Sequence, residues 1–202
     1  GKTTILGLVV RNFEIQKGQI LIDDVDIKDI SIESLRRGIG QMLQDVFLFS
    51  GSIKDNITLF DSHYTDSEVK AAAEYVNASE LIDGLPNKYD EQVIERGENF
   101  STGQRQLLSF ARTVLHKPQI MILDEATANI DTETELKIQE SLERMKNIGT
   151  MLVVAHRLST IQHANKIIVL FCGEIIEEGT HQELLKNKAY YYKLYQLQYE
   201  GK

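Results

Sequence analysis

Ile120-Met121-Ile122-Leu123 is an unbroken apolar run that ends on two acids, Asp124-Glu125. Pro118, just upstream, bars a helix from running into it. A run this short and this apolar, with no alternation, is the pattern of a strand covered on both faces. That is the situation of a parallel sheet packed between helices. The neighbouring segments agree. Ser101–Leu115 places Leu107, Leu108, Ala111, Val114 and Leu115 at helical spacing. Thr132–Met145 reads as a second helix, with Asp131 or Thr132 as its N-cap. Met151–Ala155 is another buried strand, and His156 closes it.

The rest of the chain extends this alternation. Thr3–Phe13 carries Ile5, Leu6, Leu8, Val9 and Phe13 at helical spacing, directly after Gly1-Lys2. Gly18–Ile22 predicts a short strand, Asp24–Ile27 a turn and second strand, and Ser34–Arg37 a helical turn. Ile39–Leu43 is a strand leading to Gln44. From Ser52 to His116 the pattern is mostly helical; Val69, Ala72, Ala73 and Val76 share one face of Asp66–Asn77. Ile167–Leu170 and Ile175-Ile176 flank Cys172-Gly173-Glu174, a hairpin signal. Strand, helix, strand, helix predicts an α/β fold around a parallel sheet, with a helical subdomain inserted between Gln44 and Pro118. The closing tyrosines, Tyr190, Tyr191, Tyr192, Tyr195 and Tyr199, are expected to pack rather than bind.

With 202 residues and 42% apolar side chains, the chain can bury one sizeable core. A net charge of −8 argues against non-specific binding to nucleic acid or to an acidic membrane. No apolar run approaches the roughly 18 residues of a membrane span, and no long hydrophobic region follows Gly1-Lys2-Thr3-Thr4 as in a signal peptide. The single cysteine, Cys172, has no partner for an internal disulfide, which points to a reducing compartment; it is expected as a small hydrophobe at a strand end. Asn56, Asn77 and Asn99 open glycosylation-type triplets by chance.

Three places carry chemistry. A Gly1-Lys2-Thr3 turn that opens a helix aims backbone N–H groups at a phosphate. Lys2 would neutralise β- and γ-phosphate charge, and Thr3 would place its hydroxyl on Mg²⁺. Asp124-Glu125 lies at the carboxyl end of a buried strand, where ligands of such sheets bind. There Asp124 suits a Mg²⁺ site and Glu125 suits a general base for an attacking water. His156 ends the next strand at the same sheet edge, where an imidazole could touch a γ-phosphate.

These motifs, in this order, resemble the nucleotide-binding domain of ATP-binding-cassette (ABC) transporters of the exporter type, over nearly every residue. Gly1-Lys2-Thr3-Thr4 resembles the end of the Walker A loop and Ile120–Glu125 the Walker B strand. Gln44-Asp45 followed by Phe47-Leu48-Phe49 resembles the Q-loop. Phe100-Ser101-Thr102-Gly103-Gln104 resembles the family signature, Ala128-Asn129-Ile130-Asp131 the D-loop, and His156 the switch histidine. Glu95-Arg96-Gly97-Glu98 resembles the segment exporters use near their coupling helices.

The resemblance implies a P-loop NTPase (RecA-like) core of residues 1–45 and 117–202, with residues 46–116 as the helical subdomain bearing the signature. It implies ATP and Mg²⁺ as cofactors. Glu125, His156 and Gln44 would be catalytic. Thr3, Gln44 and Asp124 would hold the metal. Gly1, Lys2, Thr3, Thr4, Ser101, Gly103, Gln104 and Asp131 would contact nucleotide. It further implies a head-to-tail dimer with a second nucleotide-binding domain, transmembrane partner domains, no nucleic acid, and a place on the cytoplasmic face of the cell membrane.

Two departures stand out. The chain starts inside Walker A, so the antiparallel β-subdomain of the family and its adenine-stacking aromatic are expected to be largely missing. The 202-residue chain is accordingly expected to bind ATP poorly and to hydrolyse it negligibly. Thr102 stands where the family usually has glycine, and Phe100 where leucine is common, which suggests a second, different subunit with two unequal ATP sites. A soluble cassette ATPase of DNA repair or translation, and a regulatory ATP-binding module without turnover, remain alternatives.

Overall fold

The computed structural model describes residues 1–43, 45–124, 130–155 and 157–199. The chain divides into two compact units, Gly1–Ile27 with Val153–Lys202, and Lys28–Leu152. It begins in the first unit with helix α1 (Lys2–Val9) and strands β1 (Leu21–Ile22) and β2 (Val25–Asp26). The second unit holds α2 (Ile32–Arg37), β3 (Ile39–Met42), β4 (Gly51–Ser52), α3 (Ile53–Thr58), α4 (Asp66–Tyr75) and α5 (Ser79–Asp83). It continues with β5 (Gln92–Val93), α6 (Thr102–His116), β6 (Ile120–Asp124) and α7 (Thr132–Met145). After β7 (Thr150–Val154), the chain forms α8 (Leu158–Ile161), β8 (Ile167–Phe171), β9 (Glu174–Gly179), α9 (His181–Asn187) and α10 (Tyr190–Tyr199) in the first unit.

In the larger unit the expected parallel sheet is present, in the order β3-β6-β7. β3 and β6 run parallel with Ile39 opposite Ile120 and Met42 opposite Leu123. Met121, Ile122 and Leu123 are almost fully buried, as an apolar run without alternation requires. Helix α6 is the hub of the unit and packs against α3, α4, α7 and β3. Its buried Leu107, Leu108, Phe110 and Ala111 meet a core that includes Ile53, Ile57, Val69, Ala73, Ile138 and Met145.

Local sequence explains where the helices begin. Ser52, Thr65 and Ser101 each accept a hydrogen bond from the backbone N–H three residues on, while Asp55, Glu68 and Gln104 reach back to the cap residue. These reciprocal pairs satisfy amides that a helix otherwise leaves without intrahelical partners. For α7 the cap is Asp131, not Thr132. One pairing is absent from the sequence reading: β4 and β5 form a two-residue antiparallel ladder, Gly51 opposite Val93, inside the helical stretch. A ladder this short leaves no periodicity to read.

In the smaller unit β8 and β9 form the expected antiparallel hairpin. Cys172 lies in the turn of that hairpin, as the sequence reading placed it, but it does not pack as a small hydrophobe: it is exposed, with φ of 50°, and Gly173 follows at 89°. A two-residue hairpin turn of this hand needs positive φ at both positions, so Cys172 is carried outward by the turn. The core of this unit is Ile167, Val169, Leu184 and Tyr191, with Leu158, Ile161 and Leu185 packed on it. Tyr191 is the one tail tyrosine that is fully buried. No helix among the described residues is long and apolar enough to cross a membrane.

Candidate functional site

The phosphate-loop residues open α1 in the smaller unit. Gly1 is the N-cap and gives no side-chain cap, and Lys2, Thr3 and Thr4 are exposed in the first turn. The positive end of a helix with a lysine and two hydroxyls around it suits an oxyanion.

Asp124 is the last residue of β6, half-buried at the carboxyl end of the sheet strand. One carboxylate at such an edge fits Mg²⁺, which is usually held by one or two protein carboxylates together with phosphate oxygens. Glu125, Gln44 and His156, the residues expected to be catalytic, lie outside the described residues, as do Ala128 and Asn129 of the D-loop.

The signature is described in full. Ser101 Oγ accepts from the Gln104 N–H at 3.2 Å, and Gln104 Oε1 accepts from the Ser101 N–H at 2.9 Å. The cap uses the Ser101 oxygen as acceptor and leaves its hydroxyl proton to point elsewhere, which is what an incoming phosphate oxygen needs. Thr102 is exposed, and its Oγ1 accepts from Arg105 Nη2 at 3.2 Å. The Arg105 fork also donates to the carbonyls of Phe100 at 2.7 Å and Gly97 at 3.3 Å. Arg96 and Gly97, with φ of 59° and 71°, turn the chain sharply into the signature, and Arg105 staples that turn to α6. Phe100 is buried beneath it. A polar cleft of about 280 Å³ opens alongside, lined by Asp45, Arg96, Glu98, Thr102 and Arg105.

Gly103 is brought against Ile130 and Thr134, the residues on either side of the Asp131 cap. A Cβ on Gly103 would lie 3.0 Å from Ile130 Cγ2 and well inside van der Waals contact of Thr134 Cγ2. The start of α6 is therefore seated directly on the start of α7. Asp131 caps α7 by accepting from the Thr134 N–H at 2.9 Å. That backbone bond holds its carboxyl below the usual range.

Sequence reasoning missed Arg105, Asn56 and Arg112. Asn56 is fully buried. Its Oδ1 accepts from the Phe49 N–H at 2.8 Å, and its Nδ2 donates to the carbonyls of Phe49 at 2.8 Å and Ser52 at 3.0 Å. Arg112 donates to the Asn56 carbonyl at 2.9 Å and the Phe47 carbonyl at 3.3 Å, and its guanidinium lies 6.0 Å from the centre of the Phe49 ring. These two residues shape the segment after Gln44. A signal existed: Asn56 is a polar residue beside Ile57, in a helix that also opens on Ile53. The result is an exposed aromatic group in which Phe47 meets Phe49 edge-on at 5.0 Å and Phe49 meets Phe60 at 6.1 Å. Their exposures are 49%, 43% and 56%. Asn56→Ala removes the side chain that pairs the partly buried Phe49 amide and carbonyl. It is expected to cost about 1–2 kcal/mol, read as a lowered melting temperature, because such unmade bonds carry a desolvation penalty of that order. An unchanged melting temperature would show that the segment finds other partners.

Comparison with known proteins places this architecture. The family model described as "ABC transporter" matches residues 1–128. The ABC transporter ATP-binding protein exp8 of Streptococcus pneumoniae is 54% identical over 98% of this chain, which covers 34% of that protein. The ATP-dependent lipid A-core flippase of Syntrophus aciditrophicus is 46% identical over 99% of this chain, which covers 33% of it. The chain thus spans about a third of the length of these curated relatives. A solved bacterial Atm1-family ABC exporter with ATP bound superposes with a TM-score of 0.91 at 37% identity, over 98% of this chain and 35% of the exporter chain. With its Walker-type strand, capped signature helix and a family match over residues 1–128, this chain belongs to the ABC transporter family.

Proposed function

We propose that this chain is the ATP-binding and ATP-hydrolysing domain of an ABC exporter, powering passage of a substrate through membrane-spanning partner domains. The observation that carries the reading is the first turn of α6, where a reciprocal cap holds Ser101 with its hydroxyl proton available beside exposed Thr102. The relatives named as an ATP-binding protein and an ATP-dependent flippase support it.

In this reading the amides of Gly1, Lys2, Thr3 and Thr4 cradle phosphate, and Lys2 offsets its charge. Thr3, Gln44 and Asp124 are the residues that would hold Mg²⁺, which would supply positive charge to offset that of the phosphates. Glu125 takes the proton of the attacking water, and His156 touches the γ-phosphate as charge develops there. Ser101, Gly103, Gln104 and Asp131 act on nucleotide held by a second domain in a head-to-tail dimer. In this chain residues 1–45 and 117–202 form the core and 46–116 the helical subdomain. Exposed aromatics at Phe47, Phe49 and Phe60 fit a protein partner, since large apolar side chains grouped at a surface mark interfaces. In this reading the transmembrane part is the partner that covers them, and the domain sits on the cytoplasmic face of the membrane.

The test is phosphate release from MgATP by the full-length protein in lipid vesicles. Binding without release would leave a regulatory module, and activity found apart from membranes would leave a soluble cassette ATPase. The altered signature, with Thr102 engaged by Arg105, further supports a second, related subunit as partner. Expression of the full-length protein alone is expected to give no active assembly with two equivalent sites. A transport-active homodimer trapping nucleotide equally at both sites would overturn the unequal pairing.

A further inference from the structure

Two consecutive side chains of α6 reach back to the peptide that enters the helix. Gln104 Oε1 accepts from the Ser101 N–H at 2.9 Å, and Arg105 Nη1 donates to the Phe100 carbonyl at 2.7 Å. That N–H and that carbonyl are the two ends of one peptide unit, Phe100–Ser101. A peptide unit is planar, so holding both of its polar groups fixes the orientation of the plane. Ser101 hangs from that plane, and its Oγ accepts from the Gln104 N–H at 3.2 Å. The Gln104 side of this hold is the reciprocal cap seen at other helices of the chain. The Arg105 side is no part of a cap.

Arg105 also meets the residues around that peptide. The same Nη1 donates to the Gly97 carbonyl at 3.3 Å, and Nη2 donates to Thr102 Oγ1 at 3.2 Å. The Gly97 carbonyl accepts in addition from the Phe100 N–H at 2.9 Å. The three acceptors belong to residues 97, 100 and 102, on both sides of Ser101. A planar fork with donors at fixed angles suits three such oxygens, whereas an ammonium is a point charge without that geometry. The arginine stem is fitted in place as well. A Cβ on Gly97 would lie 3.1 Å from Arg105 Cδ and 2.8 Å from Leu48 Cδ1, so glycine is what leaves room for the stem. All three acceptors are uncharged, so none of these bonds cancels the guanidinium charge.

We propose that Arg105 is a positioning residue for Ser101, setting the plane of the Phe100–Ser101 peptide and with it the direction of the serine hydroxyl. The inference rests on the reading of Ser101 as a contact to nucleotide held by a second domain. Arg105 touches no nucleotide in this scheme. The rival use of its side chain, direct attraction of a phosphate by its charge, predicts a different outcome in the test.

Arg105→Met removes every donor and keeps an unbranched stem, while Arg105→Lys keeps the charge and loses the fork. In the full-length protein, Arg105→Met is expected to lower kcat for MgATP about 10-fold, the scale of one hydrogen bond to a charged group, with KM within about twofold. Arg105→Lys should still lose about 3-fold or more, because one ammonium cannot serve all three oxygens. In a Ser101→Ala background, Arg105→Met should cost less than about twofold in residual turnover, because it acts through Ser101. Hydrogen exchange gives a readout that needs no turnover: the Phe100 and Ser101 amides should exchange faster in both variants. Normal kcat in Arg105→Lys would assign the effect to charge and overturn the proposal. An undiminished loss in the Ser101→Ala background, or unchanged exchange at Ser101, would also overturn it. If Arg105→Met does not fold, Arg105→Lys decides by kcat and exchange alone. A wild-type protein that binds MgATP without turnover would remove the ATPase reading instead. In that case faster exchange in the variants would still support the hold on Ser101, and unchanged exchange would end it.

Discussion

Glu125→Gln is expected to keep MgATP binding in the full-length protein and to lose about 10²-fold or more in turnover, the usual scale of general-base catalysis. The reason begins with β6. Its buried residues run through Leu123, Asp124 is the half-buried residue that closes it, and Glu125 follows Asp124 in the sequence. Two acids in such a place have different work. Asp124, still part of the strand, is the one suited to a cation. Glu125, one step beyond, is the one suited to a water. Glutamine keeps the size and the hydrogen-bonding shape of glutamate but is a far weaker base, so binding should survive and proton removal should not. Asp124→Asn provides the contrast, with the loss falling on Mg²⁺ dependence. Single-turnover phosphate release separates the two. If Glu125→Gln turns over at nearly the normal rate, the base is another residue and Glu125 leaves the scheme.

How far these features could be read from sequence follows their range along the chain. β6 was legible because four consecutive apolar residues between a proline and two acids admit few other structures. The cap of α7 was legible to within one residue, Asp131 or Thr132, because a cap is set by residues three apart. The hairpin around Cys172-Gly173 was legible as a turn, but the fate of the cysteine was not, since the direction a turn residue points depends on φ at two positions at once. Asn56 shows the other limit. It holds Phe49 seven residues away and is held by Arg112 fifty-six residues on, and no local pattern records either link. The same holds for the Gln198 side chain, which accepts from the Leu158 N–H forty residues away. The signature, the D-loop and the Walker B strand are each ordinary alone, and it is their order along the chain that made the resemblance legible. That Gly103 is seated against Thr134 and Ile130 is a property of two helices together.

That contact gives the second large expectation. Gly103→Ala should lower the melting temperature of the domain by about 5–10 °C, corresponding to roughly 2–3 kcal/mol of overpacking. Two effects compete. Alanine is the better helix former by about 1 kcal/mol, which would stabilise α6. Against it, the new methyl must occupy space already filled by Thr134 Cγ2 and Ile130 Cγ2. Neither neighbour can swing aside freely: both side chains are β-branched, and the Thr134 backbone N–H is tied to the Asp131 cap. The overpacking should therefore win. A glycine in a signature could instead be required only so that phosphate can approach its amide, and the two explanations separate cleanly. If packing decides, Gly103→Ala combined with Thr134→Ser, which removes the methyl and keeps the hydroxyl, should regain more than half of the lost melting temperature. If phosphate approach decides, Gly103→Ala should melt like the wild type, lose turnover, and gain nothing from Thr134→Ser. The first outcome would also mean that the signature and the helix after the D-loop move as one body, because the glycine that lets them touch leaves no gap between them.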